Sequence, residues 1–239
     1  MKKSLTAVAA LSVLGLVPAV SSASATTPVS LTGLTAKQIL NISLKAAVAK
    51  KSATTVGTTS VLGISVREVT TSGPRSGYGN ESINGHKGSI IYTGGVVYTK
   101  FDAFLIKFNY GVTDTAVDNK WISVTKASKF YRSLAQGITY PSVLQQLTPA
   151  GTLSALAPTT INGVSAIGIV GKVSATFGLP KGTQTLYVSA TAPFLPLADE
   201  VRASERGVSV DIVITPKNWG VAVSVSPPKV FTPVAKTKL

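Results

Sequence analysis

The 239-residue sequence lacks cysteine and contains a single histidine. Without cysteine the chain forms no disulfide, no thiolate metal site and no lipid-modified cysteine of the kind that anchors bacterial lipoproteins. One histidine is also too few for the usual zinc sites. The nine acidic residues are dispersed along the chain, so the sequence predicts neither a bound metal nor a cofactor.

Acidic residues are scarce relative to basic ones, with 9 Asp and Glu against 23 Lys and Arg. A positive field of this kind attracts nucleic acid, anionic lipid or cell-wall polymers. The basic residues are scattered and form no recognition motif, so we expect no nucleic-acid partner. Two interpretations of the excess stay open: weak association with an anionic membrane or cell-wall polymers, and solubility alone.

The first residues have the three parts of a secretory signal peptide. Lys2 and Lys3 precede an apolar stretch from Leu5 to Val17, Pro18 ends that stretch, and small residues follow up to Ala25. The apolar stretch is shorter than the roughly 20 residues that span a bilayer. We expect cleavage after Ala25 and an exported protein, extracellular, periplasmic or in the cell envelope, that is not lipid-anchored.

A helix is predicted after the signal peptide, followed by strands. Thr35 and Gln38 form a T-x-x-Q capping box, and Lys50 lies in the last turn, where the helix dipole favours a cation. From Thr58 onward apolar residues recur at every second position, which is typical of strands. The Thr-Gly-Gly sequence at 93–95 predicts a hairpin turn between two of them.

In the rest of the chain some apolar residues alternate as in strands and others have helical spacing. Alternating apolar residues predict further strands at 104–110, 121–125, 159–173, 186–190, 208–214 and 221–225. Helical spacing predicts short helices at 126–136 and from Pro141 to Leu147, and one helical turn at 153–157. The apolar link at 192–197 contains two prolines, which indicates a sheet edge.

Segregated helices and antiparallel hairpins indicate an α+β fold. We expect a large curved antiparallel β-sheet, or half-barrel, wrapped over helices. No repeat or long linker divides the sequence, which predicts one domain over residues 26–228 and an extended or disordered basic tail at 229–239.

The sequence offers little support for catalysis. His86 lies in a turn-like segment, and no G-x-S-x-G nucleophile motif accompanies it. Asp199, Glu200 and Glu205 include a possible carboxylate pair for glycoside chemistry. They alternate with Arg202, and ion pairs on a solvated segment are the simpler interpretation. We therefore expect that the protein is not an enzyme.

The order of short motifs along the chain resembles one family. The capped helix is followed by a Gly-rich hairpin at 88–100, by Lys-Trp-Ile-Ser-Val at 120–124, by a helical insert, by Pro-Phe-Leu-Pro-Leu at 193–197 and by Pro227-Pro228. This order is similar to that of the LppX/LprG group of actinobacterial cell-envelope lipoproteins, whose fold is similar to LolA. The resemblance implies a half-barrel with a hydrophobic cavity, in proteins that carry lipids or lipoglycans across the envelope. The anchoring cysteine of that family is absent here, so a carrier without a membrane tether is implied.

From this resemblance we expect an exported, non-enzymatic lipid-binding or lipid-transfer protein. Its partner would be a lipid or lipoglycan with acyl chains, because each methylene moved from water into an apolar cavity gains about 0.8 kcal/mol. The predicted lining residues are Phe104, Ile106, Phe108, Phe130, Leu134, Leu144, Leu147, Ile167 and Ile169. The same apolar faces suit a filled core, so a structural or interaction protein of the cell surface is the alternative, and a hydrolase is third.

Overall fold

The structure is a computed structural model that describes residues 31–179, 181–205, 207–237 and 239. The predicted signal peptide and its cleavage site after Ala25 lie outside the described residues. Of the helices in the described part of the chain, none is long and apolar enough to cross a membrane.

The described residues form four α-helices and thirteen β-strands. The helices are α1 (Ala36–Lys50), α2 (Ala103–Tyr110), α3 (Tyr131–Gln136) and α4 (Tyr140–Gln146). The first six strands are β1 (Ala53–Val61), β2 (Ile64–Ser72), β3 (Ser76–Ile83), β4 (His86–Thr93), β5 (Val96–Lys100) and β6 (Trp121–Val124). The others are β7 (Ala150–Ala155), β8 (Thr159–Ile161), β9 (Val164–Lys172), β10 (Gly182–Ser189), β11 (Pro196–Glu205), β12 (Val208–Lys217) and β13 (Thr232–Pro233).

These strands build one open sheet. Its order is β13-β6-β5-β4-β3-β2-β1-β12-β11-β10-β9-β7, and β8 pairs with β9 outside this path. Neighbouring strands are antiparallel except β13 and β6, which are parallel. The β1–β12 pair joins a meander made by the first half of the chain to one made by the second half. The α+β prediction of a large antiparallel sheet with few helices is therefore confirmed.

The predicted capping box begins α1 as expected. The backbone N–H of Gln38 donates to Thr35 Oγ1 at 3.3 Å, and the N–H of Thr35 donates to Gln38 Oε1 at 2.9 Å. Four apolar residues on one side of the helix are buried: Ala36, Ile39, Leu40 and Ala47. The predicted hairpin is confirmed too, because Gly94 and Gly95 join β4 to β5 with φ angles of 59° and 77°, which few other residues adopt.

Two separate hydrophobic clusters lie between the sheet and the helices. Cluster one contains Leu31, Ala36, Ile39, Leu40, Val143, Leu147, Ile169, Leu186, Val188, Phe194 and Ile214. Cluster two contains Ile83, Val97, Phe101, Leu105, Ile106, Tyr110, Val117, Ile122, Val124, Leu134 and Ala135. Both use the same face of the sheet, which we call the inner face. Cluster two is tightly packed there, since a Cβ on Gly88 would lie 2.5 Å from the ring of Phe101.

The strand predicted at 104–110 is wrong, because this segment is helix α2. Asp102 provides the reason: its Oδ1 accepts the N–H of Leu105 at 2.9 Å and caps the helix. The side chains that become buried are Leu105, Ile106 and Tyr110, which follow a helical rather than an alternating spacing.

Two further predictions are wrong. Residues 153–157 were expected to form a helical turn, but Ala150–Ala155 is strand β7, which pairs with β9. Residues 221–225 were expected to form a strand but are irregular. These residues cannot add a strand beside β12, because β12 already pairs with β1 on one side and β11 on the other. Instead Ser52 Oγ donates to Val221 O at 2.6 Å, and Ser76 Oγ to Val223 O at 3.2 Å.

The apolar link at 192–197 does not lie at a sheet edge. Pro196 begins β11, which runs between β10 and β12 in the interior of the sheet. Proline is tolerated there because it stands at the first position of the strand. Within the predicted tail, Thr232–Pro233 pairs with β6, and Val234 packs against cluster two.

Candidate ligand cavity

A cavity of about 170 Å³ lies on the inner face between the two clusters. Its walls are Thr55, Gly57, Thr59, Val66, Glu68, Gly137, Gln146, Phe177, Ile212 and Ile214. Ile214 belongs to cluster one, and Val66 packs against cluster two, so the cavity separates them.

The cavity exists because the central strands have small or polar side chains on the inner face. Gly57 of β1 stands directly opposite Ile214 of β12 and Glu68 of β2. The nearest atom to a Cβ built on Gly57 is 4.0 Å away, so a side chain would meet open space. Thr55 and Thr59 stand on either side of Gly57 on the same face. These residues leave room where the flanking strands have Ile, Leu and Val.

Helices α3 and α4 cover the cavity, and we call residues 131–146 the cover. Gly137, in the turn between the two helices, and Gln146, at the end of α4, contact the cavity directly. Side-chain hydrogen bonds attach the cover to the rest of the molecule. Tyr140 Oη donates to Ala47 O, and Gln146 O accepts from Gln184 Nε2 at 2.6 Å. Because α3 has 6 residues and α4 has 7, neither helix is stable by itself. These bonds and the burial of Leu134, Ala135 and Val143 in the two clusters hold them in place.

Two partly buried carboxyl groups stand side by side at one end of the cavity. Glu68 of β2 is the cross-strand partner of Glu81 of β3. Thr70 Oγ1 donates to Glu68 at 2.9 Å, and Asn109 Nδ2 donates to Glu81 at 2.9 Å. Burial raises the pKa of Glu68, and burial raises the pKa of Glu81 to about 7, with the neighbouring Glu68 adding to the rise. The environment thus favours the neutral acids.

A third carboxyl group, this one fully buried, lies on the other side. Asp199 of β11 is fully buried, and Gln184 Nε2 donates to its two oxygens at 2.9 and 3.0 Å. Burial raises the pKa of Asp199 to about 8. The prediction of a solvated ion-pair segment is therefore wrong for Asp199, although Glu200 and Arg202 do approach to 3.6 Å. The reason is that β11 is an interior strand.

The three acids belong to one row across the sheet. The row runs Asp199, Ile214, Gly57, Glu68, Glu81 on five successive strands. Directly opposed residues point to the same face of a sheet. The floor of the cavity is therefore a strip with Gly57 at its middle, two partly buried carboxyl groups on one side and a fully buried one on the other.

The structure distributes the predicted lining residues over other places. Phe104 and Phe108 are exposed on α2, and Leu144 is half-buried on α4. Cluster two includes or contacts Ile106, Phe130 and Leu134. Cluster one includes or contacts Leu147, Ile167 and Ile169. None of them is a wall of the cavity.

His86 is not part of a hydrolytic triad in the described residues. Its Nδ1 lies 2.7 Å from Asp102 Oδ2, and its ring stacks on Phe104 with centroids 4.2 Å apart. Within the described residues no serine or threonine hydroxyl hydrogen-bonds to the imidazole. No group of three or more His, Cys, Asp or Glu there is arranged to hold a metal ion.

Solved structures with this architecture are known. The chain is similar to the lipoprotein LppX from Mycobacterium tuberculosis, with 16% identity over 80% of this chain and 98% of LppX and a TM-score of 0.51. It is also similar to LprF from Mycobacterium bovis, with 17% identity over 81% of this chain and 96% of LprF and a TM-score of 0.49. A DUF1329 family protein from Desulfovibrio piger aligns with 10% identity over 79% of this chain and 95% of its own, with a TM-score of 0.33.

No family model matches the sequence, and no curated protein matches it. The likeness to LppX, at this low identity, shows a shared fold. The predicted resemblance is thus confirmed at the level of the fold, with a large open antiparallel sheet and helices on one face.

Proposed function

We propose that the protein is a non-enzymatic lipid-binding or lipid-transfer protein that holds an acyl chain on the inner face of the sheet. The observation on which this proposal rests is the gap between the two hydrophobic clusters, beneath the cover. The fold shared with the lipoprotein LppX supports it, since the family resemblance implies a carrier. We propose further that the chain is exported through its signal peptide and works without a lipid anchor.

The cavity takes only part of an acyl chain in the conformation described. A volume of about 170 Å³ is similar to that of an engineered protein cavity of about 150 Å³ that binds benzene. A longer chain requires that the cover move outward. The two helices of the cover are short, and this movement would have to break their side-chain hydrogen bonds and withdraw Leu134, Ala135 and Val143 from the two clusters. Each methylene that then leaves water contributes about 0.8 kcal/mol.

The two partly buried glutamates are compatible with an apolar guest. A neutral carboxyl group is far less costly to bury than a carboxylate, and burial raises the pKa of both Glu68 and Glu81. Together with Gln146 and Thr59, Glu68 gives the cavity a polar side. We infer that the guest is an amphiphile that places a hydrogen-bonding group there and its hydrocarbon against Phe177 and Ile212.

Filling the cavity from within tests the proposal. Gly57→Leu places a side chain in the open space of the floor, while Thr58→Leu adds the same side chain one residue later on the exposed outer face. We expect Gly57→Leu to weaken binding of a fluorescent fatty acid by about tenfold or more, and Thr58→Leu to change it less than about twofold. Urea unfolding midpoints of both variants report whether each is folded.

The possible outcomes distinguish an error in the proposed site from an error in the proposed function. If the unaltered protein binds the probe and Gly57→Leu binds it equally well, the cavity is not the site. If the unaltered protein binds no probe and its organic extract contains no amphiphile, lipid binding itself is wrong. The alternative of a cell-surface structural protein would then be favoured, since the two clusters are already filled.

A further inference from the structure

A second concave site lies along the cover and the turns that precede it, and we call it the basic groove. Its volume is about 680 Å³, and all of its walls belong to residues 126–145. Three of the walls are the exposed cations Lys126, Lys129 and Arg132, which follow one another at intervals of three residues. Among the described residues that line the groove, none is acidic.

The positive charge of the basic groove is not neutralised by its surroundings. From Asn119 to Ala198 the sequence contains no Asp or Glu. In the part of the chain that the structure describes, no acid forms an ion pair with any of the three cations. Glu68 meets the cover at Gly137, but it borders the cavity rather than the groove, and burial raises its pKa. The groove is therefore complementary to an anion.

The donors of the basic groove suit a phosphate group. The guanidinium of Arg132 presents parallel N–H donors that match two oxygens of a phosphate. Lys129 Nζ lies 4.7 Å from the ring centroid of Phe130, and that ring packs against cluster two. Ser142 Oγ accepts from Thr139 Oγ1 at 2.7 Å, so its own O–H can donate. A phosphate, with several acceptor oxygens and more than one negative charge, can use all of these donors.

The basic groove and the cavity approach each other at both ends of the cover. Gln136 lines the groove, and the next residue, Gly137, lines the cavity. Gln145 lines the groove, and the next residue, Gln146, lines the cavity. Consecutive Cα atoms are about 3.8 Å apart, so an apolar site and a cationic site lie within about one residue of each other. This is the arrangement that the two ends of an anionic amphiphile require.

We propose that the basic groove binds the phosphate head group of an amphiphile whose hydrocarbon lies in the cavity. This inference rests on the proposed lipid-binding function and names the head group of the guest. Arg132 and Lys129 bind phosphate oxygens, and Ser142 donates a further hydrogen bond. The hydrogen-bonding group near Glu68 is then the neutral link between the phosphate and the hydrocarbon.

Matched ligands test the preference for a phosphate. Isothermal titration calorimetry compares decyl phosphate with decanol, which has the same hydrocarbon and no phosphate. We expect the unaltered protein to bind decyl phosphate about tenfold or more tightly, since an exposed ion pair contributes up to about fivefold and three cations line the groove. Tripolyphosphate, which has no hydrocarbon, should bind about tenfold or more weakly than decyl phosphate.

Matched variants test the position of the phosphate. Lys129→Gln/Arg132→Gln should weaken binding of decyl phosphate by about fivefold or more and change binding of decanol less than about twofold. The control, Lys87→Gln/Lys100→Gln, removes the same charge from the outer face of the sheet, because the residues that alternate with these lysines face α2. It should change binding of either ligand less than about twofold.

Three results would overturn the inference, and they differ in what else they overturn. If decyl phosphate and decanol bind equally, or if the groove variant and the control lose affinity equally, the groove is not the head-group site, while lipid binding stands. If tripolyphosphate binds as tightly as decyl phosphate and the groove variant weakens both, the groove takes a soluble phosphate. If neither decanol nor decyl phosphate binds, the proposed function fails as well. Unfolding midpoints report whether each variant is folded.

Discussion

The flanks and the centre of the inner face are built differently. Each flank is a filled cluster of aliphatic and aromatic side chains, such as Leu186 in cluster one and Phe101 in cluster two. The centre has Gly57, two threonines and the partly buried Glu68 around a cavity of about 170 Å³. The flanks can therefore account for stability, while the centre leaves the space in which we propose that a guest binds.

A matched pair of phenylalanines gives the largest expected difference. Phe101 is 1% exposed inside cluster two, whereas Phe177 borders the cavity and is only partly buried. We expect Phe101→Ala to lower the free energy of unfolding by about 3–5 kcal/mol and Phe177→Ala by less than about 2 kcal/mol. Urea unfolding at neutral pH measures both. Equal losses would show that centre and flank are packed alike.

The buried acid of β11 predicts a pH dependence. The pKa of Asp199 rises from 3.8 unfolded to about 8 folded because of burial. Its favourable contribution is complete below the unfolded value and is lost as the pH rises through the folded value. Between the two values folding requires Asp199 to take up a proton that the unfolded chain has released, and this uptake becomes less favourable as the pH rises.

Asp199→Asn should remove this part of the pH dependence. The amide mimics the neutral acid and can still accept from Gln184, so the variant should become more stable relative to the unaltered protein by about 1.4 kcal/mol for each pH unit of that window. Unfolding midpoints collected across the window measure it. A variant that is destabilised equally at every pH would mean that Asp199 is ionised in the folded protein.

The smallest effect is expected where the cover meets α1. Tyr140→Phe removes the hydroxyl that donates to Ala47 O, one of the last carbonyls of the helix. We expect a loss of about 1–2 kcal/mol and faster hydrogen exchange in α4 than in the strands of cluster one. Exchange monitored by mass spectrometry checks this. Exchange that accelerates equally over the whole molecule would contradict a separately moving cover.

Local signals predicted much of the fold. The capping box of Thr35 and Gln38 begins α1, Gly94 and Gly95 make the predicted turn, and Pro141 lies in the first turn of α4. Each of these features depends on neighbouring residues only, which is why the sequence alone identifies it. The alternation at 208–214 likewise corresponds to β12.

The misses occur where distant contacts decide. The strand predicted at 104–110 is an exception, because the apolar residues fit either period and a local contact, the cap by Asp102, selects a helix. The sequence around Asp199 predicts a solvated acid, but this residue is buried because β11 pairs with a strand on each side. The walls of the cavity were missed for the same reason: Gly57 and Glu68 meet Ile214 only through strand register. No feature of the sequence around Gly57 or Glu68 indicates that these residues lie in register with Ile214.

The most direct test of the central claim is native mass spectrometry of the purified protein before and after organic extraction. Our account predicts a bound amphiphile near one equivalent, lost on extraction and restored when a fatty acid is added to the unaltered protein but not to Gly57→Leu. A single mass equal to that of the polypeptide, unchanged by extraction and by added fatty acid, would contradict it.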